Sequence, residues 1–167
     1  MQKLLKGKAW KFGDDISTDL IAPGRYFHLR SNLEELAKHT LEDADPEFTK
    51  KISAGDFVVG GKNFGLGSSR EHAPTIIKLS GISAVLAKSF ARIFFRNAIN
   101  VGLPAIICDT DKISPSDELE IDLAHGTIKN KTRNLELIFP PLPDIMQSIL
   151  QEDGLVNYLK KFGELKV

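Results

Sequence analysis

Short apolar runs recur through the middle of this chain, each followed by a polar or glycine-containing break and then by helical spacing. "DFVVGG" (56–61), "ISAVLAKSF" (82–90) and "PAIIC" (104–108) read as buried strands. Between them, "SREHAPTIIKLSG" predicts a helix closed by Gly81, and "ARIFFRNAINVG" (91–102) a second helix ending near glycine. The order β-α-β-α-β favours parallel pairing with right-handed crossovers.

The flanks carry different patterns. "LLKGKAWKF" (4–12) predicts a strand, and "GDDISTDLIAPGRYFHLR" (13–30) an extended, mobile N-terminal loop punctuated by Gly, Pro and Asp. In "SNLEELAKHTLEDA", Ser31 and Glu34 form a capping box ahead of a stripe of Leu33, Leu36 and Ala37, which predicts a short amphipathic helix. "DELEIDL", "GTIKNKT" and "NLELIF" alternate as β segments, the first two joined at His125-Gly126, and prolines at 140, 141 and 143 stop the last. "DIMQSILQEDGLVNYLKKFG" predicts one or two terminal helices broken near Gly154. The expectation is an α/β fold, a three-layer sandwich with a β-rich portion, in one domain spanning 1–167.

Composition narrows the function. Lys+Arg 22 balances Asp+Glu 22, so nothing points to nucleic acid or an anionic membrane. No stretch approaches the ~18 apolar residues of a membrane span, and "MQKLLKGKAWKFGDD" lacks the pattern of a signal peptide. One cysteine, Cys108, excludes an internal disulfide and fits a reducing cytoplasm. It also falls short of the ligands of an iron–sulfur cluster, and His28, His39, His72 and His125 show no close pair. No metal is expected on this chain alone.

The densest chemistry lies in "GGKNFGLGSSREHAP" (60–74). A Walker loop would need G-K-[ST], a dinucleotide loop a third glycine where Arg70 stands, and a hydrolase elbow G-x-S-x-G. All three fail. Ser68 and Glu71 also satisfy a capping box, the structural alternative, although Pro74 implies a kink or a later helix start. The glycines admit close backbone approach, a helix start lends positive charge, and Arg70 can grip a carboxylate. That environment suits a small carboxylic acid.

"FGLGSSREHAP" resembles the active-site loop of the aconitase superfamily's swivelling domain, in the form found in small subunits of isopropylmalate dehydratases and homoaconitases. "DDISTDLIAPGRYFHLR" and "AKSFARIFFRNAINVGLP" resemble two further stretches in the same order, so the likeness spans about residues 8–110. The resemblance implies a swivelling β/β/α domain that closes over a [4Fe-4S] cluster held by a separate large subunit. The iron there acts as Lewis acid. Ser68 would abstract the carbon-bound proton, while Ser69 and Arg70 hold substrate carboxylate or the oxyanion. Gly65, Gly67, Asp19 and His72 would support the loop. Leu66 stands where many small subunits carry cysteine, a place for packing only.

The implied reaction is dehydration and rehydration of 2-isopropylmalate to 3-isopropylmalate in leucine biosynthesis. Homoaconitate-type and other alkylmalate substrates remain open, as does a non-catalytic carboxylate-binding domain. Arg30 aligns, with a one-residue gap, to an arginine that binds substrate carboxylate, whereas Phe27 and Leu29 suit an aliphatic branch. Asp19 has an Asx turn as its structural alternative. Arg25 reads as a loop-bracing or surface cation. Arg92 and Arg96 read as a solvated or interface face, and Phe90, Phe94 and Phe95 as core or subunit contact.

Overall fold

A computed structural model of the protein describes residues 4–68 and 72–165. The apolar runs of the middle of the chain form β2 (Phe57–Val59), β3 (Ala84–Ala87) and β4 (Ala105–Ile107), parallel to one another and to the carboxyl half of β1 (Leu4–Lys11). Their side chains alternate between two cores. Phe57, Val59, Ala84, Leu86 and Ile106 enter one, and Val58, Val85, Ala87 and Ala105 the other. A strand buried on both faces reads as an unbroken apolar run, which is why these segments were legible.

Strands β5 (Glu118–Asp122), β6 (Thr127–Asn130) and β7 (Leu135–Ile138) are antiparallel and buried on one face, hence their alternating sequence. The sheet order is β4-β3-β2-β1-β5-β6-β7. β1 serves both halves: Leu4 to Lys8 pair antiparallel with β5, and Ala9 to Lys11 pair parallel with β2. The antiparallel half therefore folds over the parallel half. Leu119, Ile121, Ile128 and Leu137 meet Phe57, Val59 and Leu86 in the core between the two β layers. Asp56 fixes the bend. Its carboxylate accepts from Lys8 N–H (3.0 Å), Trp10 Nε1–H (2.9 Å) and Ser53 N–H (2.9 Å).

The third layer is helical. α4 (His72–Leu79) contributes Ala73, Ile76 and Ile77, and α5 (Arg92–Asn100) contributes Phe94 and Ala98, against Val58 and Val85. Phe48, Phe57 and Phe64 are fully buried, each stabilising by about 1.5–3 kcal/mol. The last two helices, α6 (Asp144–Gln151) and α7 (Leu155–Phe162), break at Gly154 as the sequence implied and pack against Ile99 of α5.

The stretch from 13 to 55 departs from expectation. Residues 13–30 are not simply extended: they form α1 (Thr18–Ile21), capped by Ser17 Oγ accepting from Leu20 N–H, and a 3-10 helix over Gly24–Leu29. α2 is only Leu33–Ala37, and its cap is Asn32, whose side chain accepts from Glu35 N–H; the Ser31 box is one residue early. Leu36 and Ala37 of the stripe are buried as expected. A further turn of helix, α3 (Phe48–Lys51), carries no periodicity of its own and is anchored by Phe48.

Candidate active site

Backbone bonds lace the glycine loop at the carboxyl ends of the parallel strands. Leaving β2, Gly60 N–H donates to Leu86 O (2.8 Å), and Lys88 N–H returns a bond to Gly61 O (2.9 Å). Phe64 N–H donates to Ser89 O (3.0 Å), and Ala91 N–H to Phe64 O (2.9 Å). The N-terminal loop crosses the other side: Gly65 N–H donates to Ile16 O (2.7 Å) and Thr18 N–H to Leu66 O (2.8 Å). Three connections after three strands thus converge on one edge, the usual ligand crevice of an open parallel sheet.

Two glycines make this path possible. Gly65 has φ +82 and lies against the Phe94 ring, where an added Cβ would overlap it. Gly67 has φ +111 and packs on Thr18 Oγ1. Both conformations are disfavoured for residues with a side chain. Phe64 anchors the loop from beneath, edge-on to Phe90 (5.9 Å) and Phe94 (5.3 Å). Phe94 is therefore core, while Phe90 and Phe95 are only partly buried beside it.

Ser68 emerges from this scaffold exposed. Its Oγ lies 3.3 Å from Thr18 Oγ1, which also donates to Ser68 O at 3.3 Å. Both contacts exceed the 2.7–2.8 Å typical of a hydroxyl hydrogen bond, so they orient the serine weakly. Thr18 is buried and starts α1. Sequence reasoning overlooked it, although Ser17-Thr18-Asp19 is a helix-start signature. α5 begins against the same loop with no side-chain cap, so its orphan N–H groups lend positive charge to the rim.

The other sequence candidates fall around this point. Asp19 is exposed in the first turn of α1, where a carboxylate complements the helix dipole. His72 is half-buried in the first turn of α4, with Pro74 buried two residues on. Ser69, Arg70 and the capping-box partner Glu71 lie outside the described residues. Arg30 finds its contacts within its own 3-10 helix rather than on Ser68. It stands exposed at the end of the 3-10 helix, its guanidinium 4.3 Å from the Phe27 ring and donating to Phe27 O (3.3 Å). Arg25 braces its own loop through Glu42 (2.9 Å) and Asp43 (2.7 Å), and hydrogen bonding to Asp43 above all holds its guanidinium more firmly protonated than usual. Arg92 and Arg96 are exposed on α5.

Two grooves lie elsewhere. One of about 530 Å³ is lined by Lys6, Trp10, Asp56 and Lys131, the other of about 710 Å³ by Ile82, Leu103, Pro104 and Leu150. Both include residues at the amino ends of the parallel strands, opposite Ser68. At the site edge Gly67 and Ser68 are exposed. Among the described residues no group of three or more His, Cys, Asp or Glu is placed to hold a metal ion. Burial, with Asp109 nearby, pushes the Cys108 thiol up to about 12, which makes it a poor ligand. No helix among the described residues is long and apolar enough to cross a membrane.

A β/β/α sandwich with a glycine–serine loop on the carboxyl edge of its parallel strands defines a swivel-type domain, and the sequence profile of the aconitase C-terminal domain matches residues 18–110. The chain belongs to that family. Among its relatives, 3-isopropylmalate dehydratase small subunit 2 of Archaeoglobus fulgidus is 64% identical over 161 residues, covering 96% of this chain and 98% of its own. Small subunit 1 of the same enzyme from Thermotoga maritima is also 64% identical over 161 residues, covering 96% and 97%. A crystal structure of 3-isopropylmalate dehydratase from Methanocaldococcus jannaschii matches with a TM-score of 0.91 at 50% identity, over 96% of each chain.

Proposed function

We propose that this chain, as one swivel domain over residues 1–167, is the small subunit of a 3-isopropylmalate dehydratase. It converts 2-isopropylmalate to 3-isopropylmalate in leucine biosynthesis in the cytoplasm, together with a large subunit. Relatives bearing that name at 64% identity over nearly the full chain support the substrate. The observation that carries the mechanism is the placement of Ser68, exposed on a hydrogen-bonded loop at the carboxyl edge of the parallel strands and touched by Thr18.

Ser68 takes the proton from the substrate carbon, and Thr18 steadies its hydroxyl. Free serine is a very poor base, so the positive rim must favour its ionised form. Ser69 and Arg70 bind substrate carboxylate, and Arg30 with Phe27 reads the part of the substrate that differs between relatives. The chain's own residues do not fit a [4Fe-4S] cluster, since its single cysteine is buried and unreactive. The cluster is assigned to the large subunit, and the edge that exposes Ser68 to the surface that the subunit covers.

The test is anaerobic reconstitution with a cluster-bearing large subunit, followed by hydratase assays on isopropylmalate, homoaconitate and dimethylmalate. The reading predicts turnover of isopropylmalate that requires both chains. Turnover of homoaconitate alone would transfer the assignment to that substrate, and no turnover with an intact cluster would leave a carboxylate-binding domain.

A further inference from the structure

The 3-10 helix Gly24–Leu29 has no buried residue of its own, and 3-10 hydrogen bonding is too weak to hold six residues in place. Something outside it must fix its position. The turn after α2 supplies that support. Tyr26 lies flat on His39, with ring centroids 3.7 Å apart and planes 13° from parallel. Arg25 sits 4.8 Å from the Tyr26 ring while reaching Glu42 and Asp43 of the same turn. His39 Nδ1 is 3.4 Å from Glu42 Oε1, a long contact, so stacking is the larger part of its role.

The turn is itself pinned from two other directions. Leu41 N–H donates to Ile21 O of α1 (3.0 Å), and Thr40 Oγ1 lies within reach of both Ala37 O (2.7 Å) and Ile76 O of α4 (3.3 Å). Leu41 is fully buried with φ 56, a left-handed conformation that costs about 1–3 kcal/mol and persists only where surroundings enforce it. Residues 39–43 therefore join three pieces: α1, which carries Thr18 to Ser68; α4, which follows the Ser68 loop; and the 3-10 helix with Phe27 and Arg30.

We infer that His39 is a positioning residue for substrate recognition: its ring, stacked on Tyr26, sets the 3-10 helix so that Phe27 and Arg30 meet the substrate at a fixed place relative to Ser68. This rests on the functional reading above. His39 touches no substrate; it acts through Tyr26. Losing it removes the stack on Tyr26, loosening a helix otherwise held by the packing of Leu29 and the ion pairs of Arg25, and leaves Ser68 and its loop bonds intact, so binding suffers before chemistry.

The experiment compares wild type, His39→Ala and His39→Phe in the reconstituted two-subunit enzyme. His39→Ala is expected to raise KM for isopropylmalate about tenfold with kcat and subunit co-purification within about twofold. His39→Phe, which keeps a flat ring, is expected to bring KM most of the way back. An unchanged KM in His39→Ala, or a His39→Phe variant as impaired as His39→Ala, would overturn the inference while wild-type turnover leaves the enzyme assignment standing. No wild-type turnover would overturn the functional reading and this inference with it.

Discussion

Gly65 shows how one residue holds the candidate site. Its positive φ and its contact with the Phe94 ring leave no room for a side chain, and the Gly65–Ile16 bond ties the N-terminal loop to the glycine loop. Gly65→Ala is expected to destabilise the chain by about 2–4 kcal/mol, combining backbone strain with overpacking. Urea denaturation measures this directly. A loss under about 0.5 kcal/mol would mean the loop can rearrange at little cost and that its path is not fixed. The loop that carries Ser68 stood out in the sequence, because glycines, two serines and an arginine are crowded into a few residues. Thr18, Tyr26 and His39 did not. Their roles depend on contacts 50 residues apart for Thr18 with Ser68, and on a ring stack between a loop and a turn. Such pairs leave no local pattern.

Among the elements, the parallel strands were readable because burial on both faces makes their sequences continuously apolar. The β5-β6 turn at Gly126 and the α6-α7 break at Gly154 were readable for a related reason: both glycines adopt positive φ. Residues 13–55 resisted because their helices are four to six residues long and held by tertiary contacts rather than by their own periodicity. The brace on the 3-10 helix has a pH signature. Burial works to raise the Glu42 carboxyl, but hydrogen bonds from Tyr26, His39 and Arg25 outweigh it, and the group lies below its ordinary value. A depressed folded-state value means that its stabilisation is present above about pH 4.3, the unfolded-state value, and is lost as pH falls through the folded one. Arg25, Tyr26, His39 and Asp43 face it and Lys38 is nearby in the chain, so the brace should loosen as a unit. Hydrogen exchange over residues 24–30, corrected for intrinsic rate, should rise as pH falls below the ordinary carboxylate range while β3 stays protected. Equal change in both segments would mean global unfolding and no local brace.

For the whole molecule, the arrangement follows from β1 serving both halves of the sheet. It folds the antiparallel strands over one face of the parallel ones, leaves the helices on the other, and keeps the carboxyl edge free for the loop that carries Ser68. Gly67 and Ser68 are exposed at that edge, where a partner could complete the site. The central claim is that this half supplies the base. The most direct test is Ser68→Ala in complex with the cluster-bearing large subunit. Assembly should be unchanged and isopropylmalate turnover should fall by at least about 100-fold, in line with general-base contributions. Near wild-type turnover in that complex would show that the proton is taken by another group.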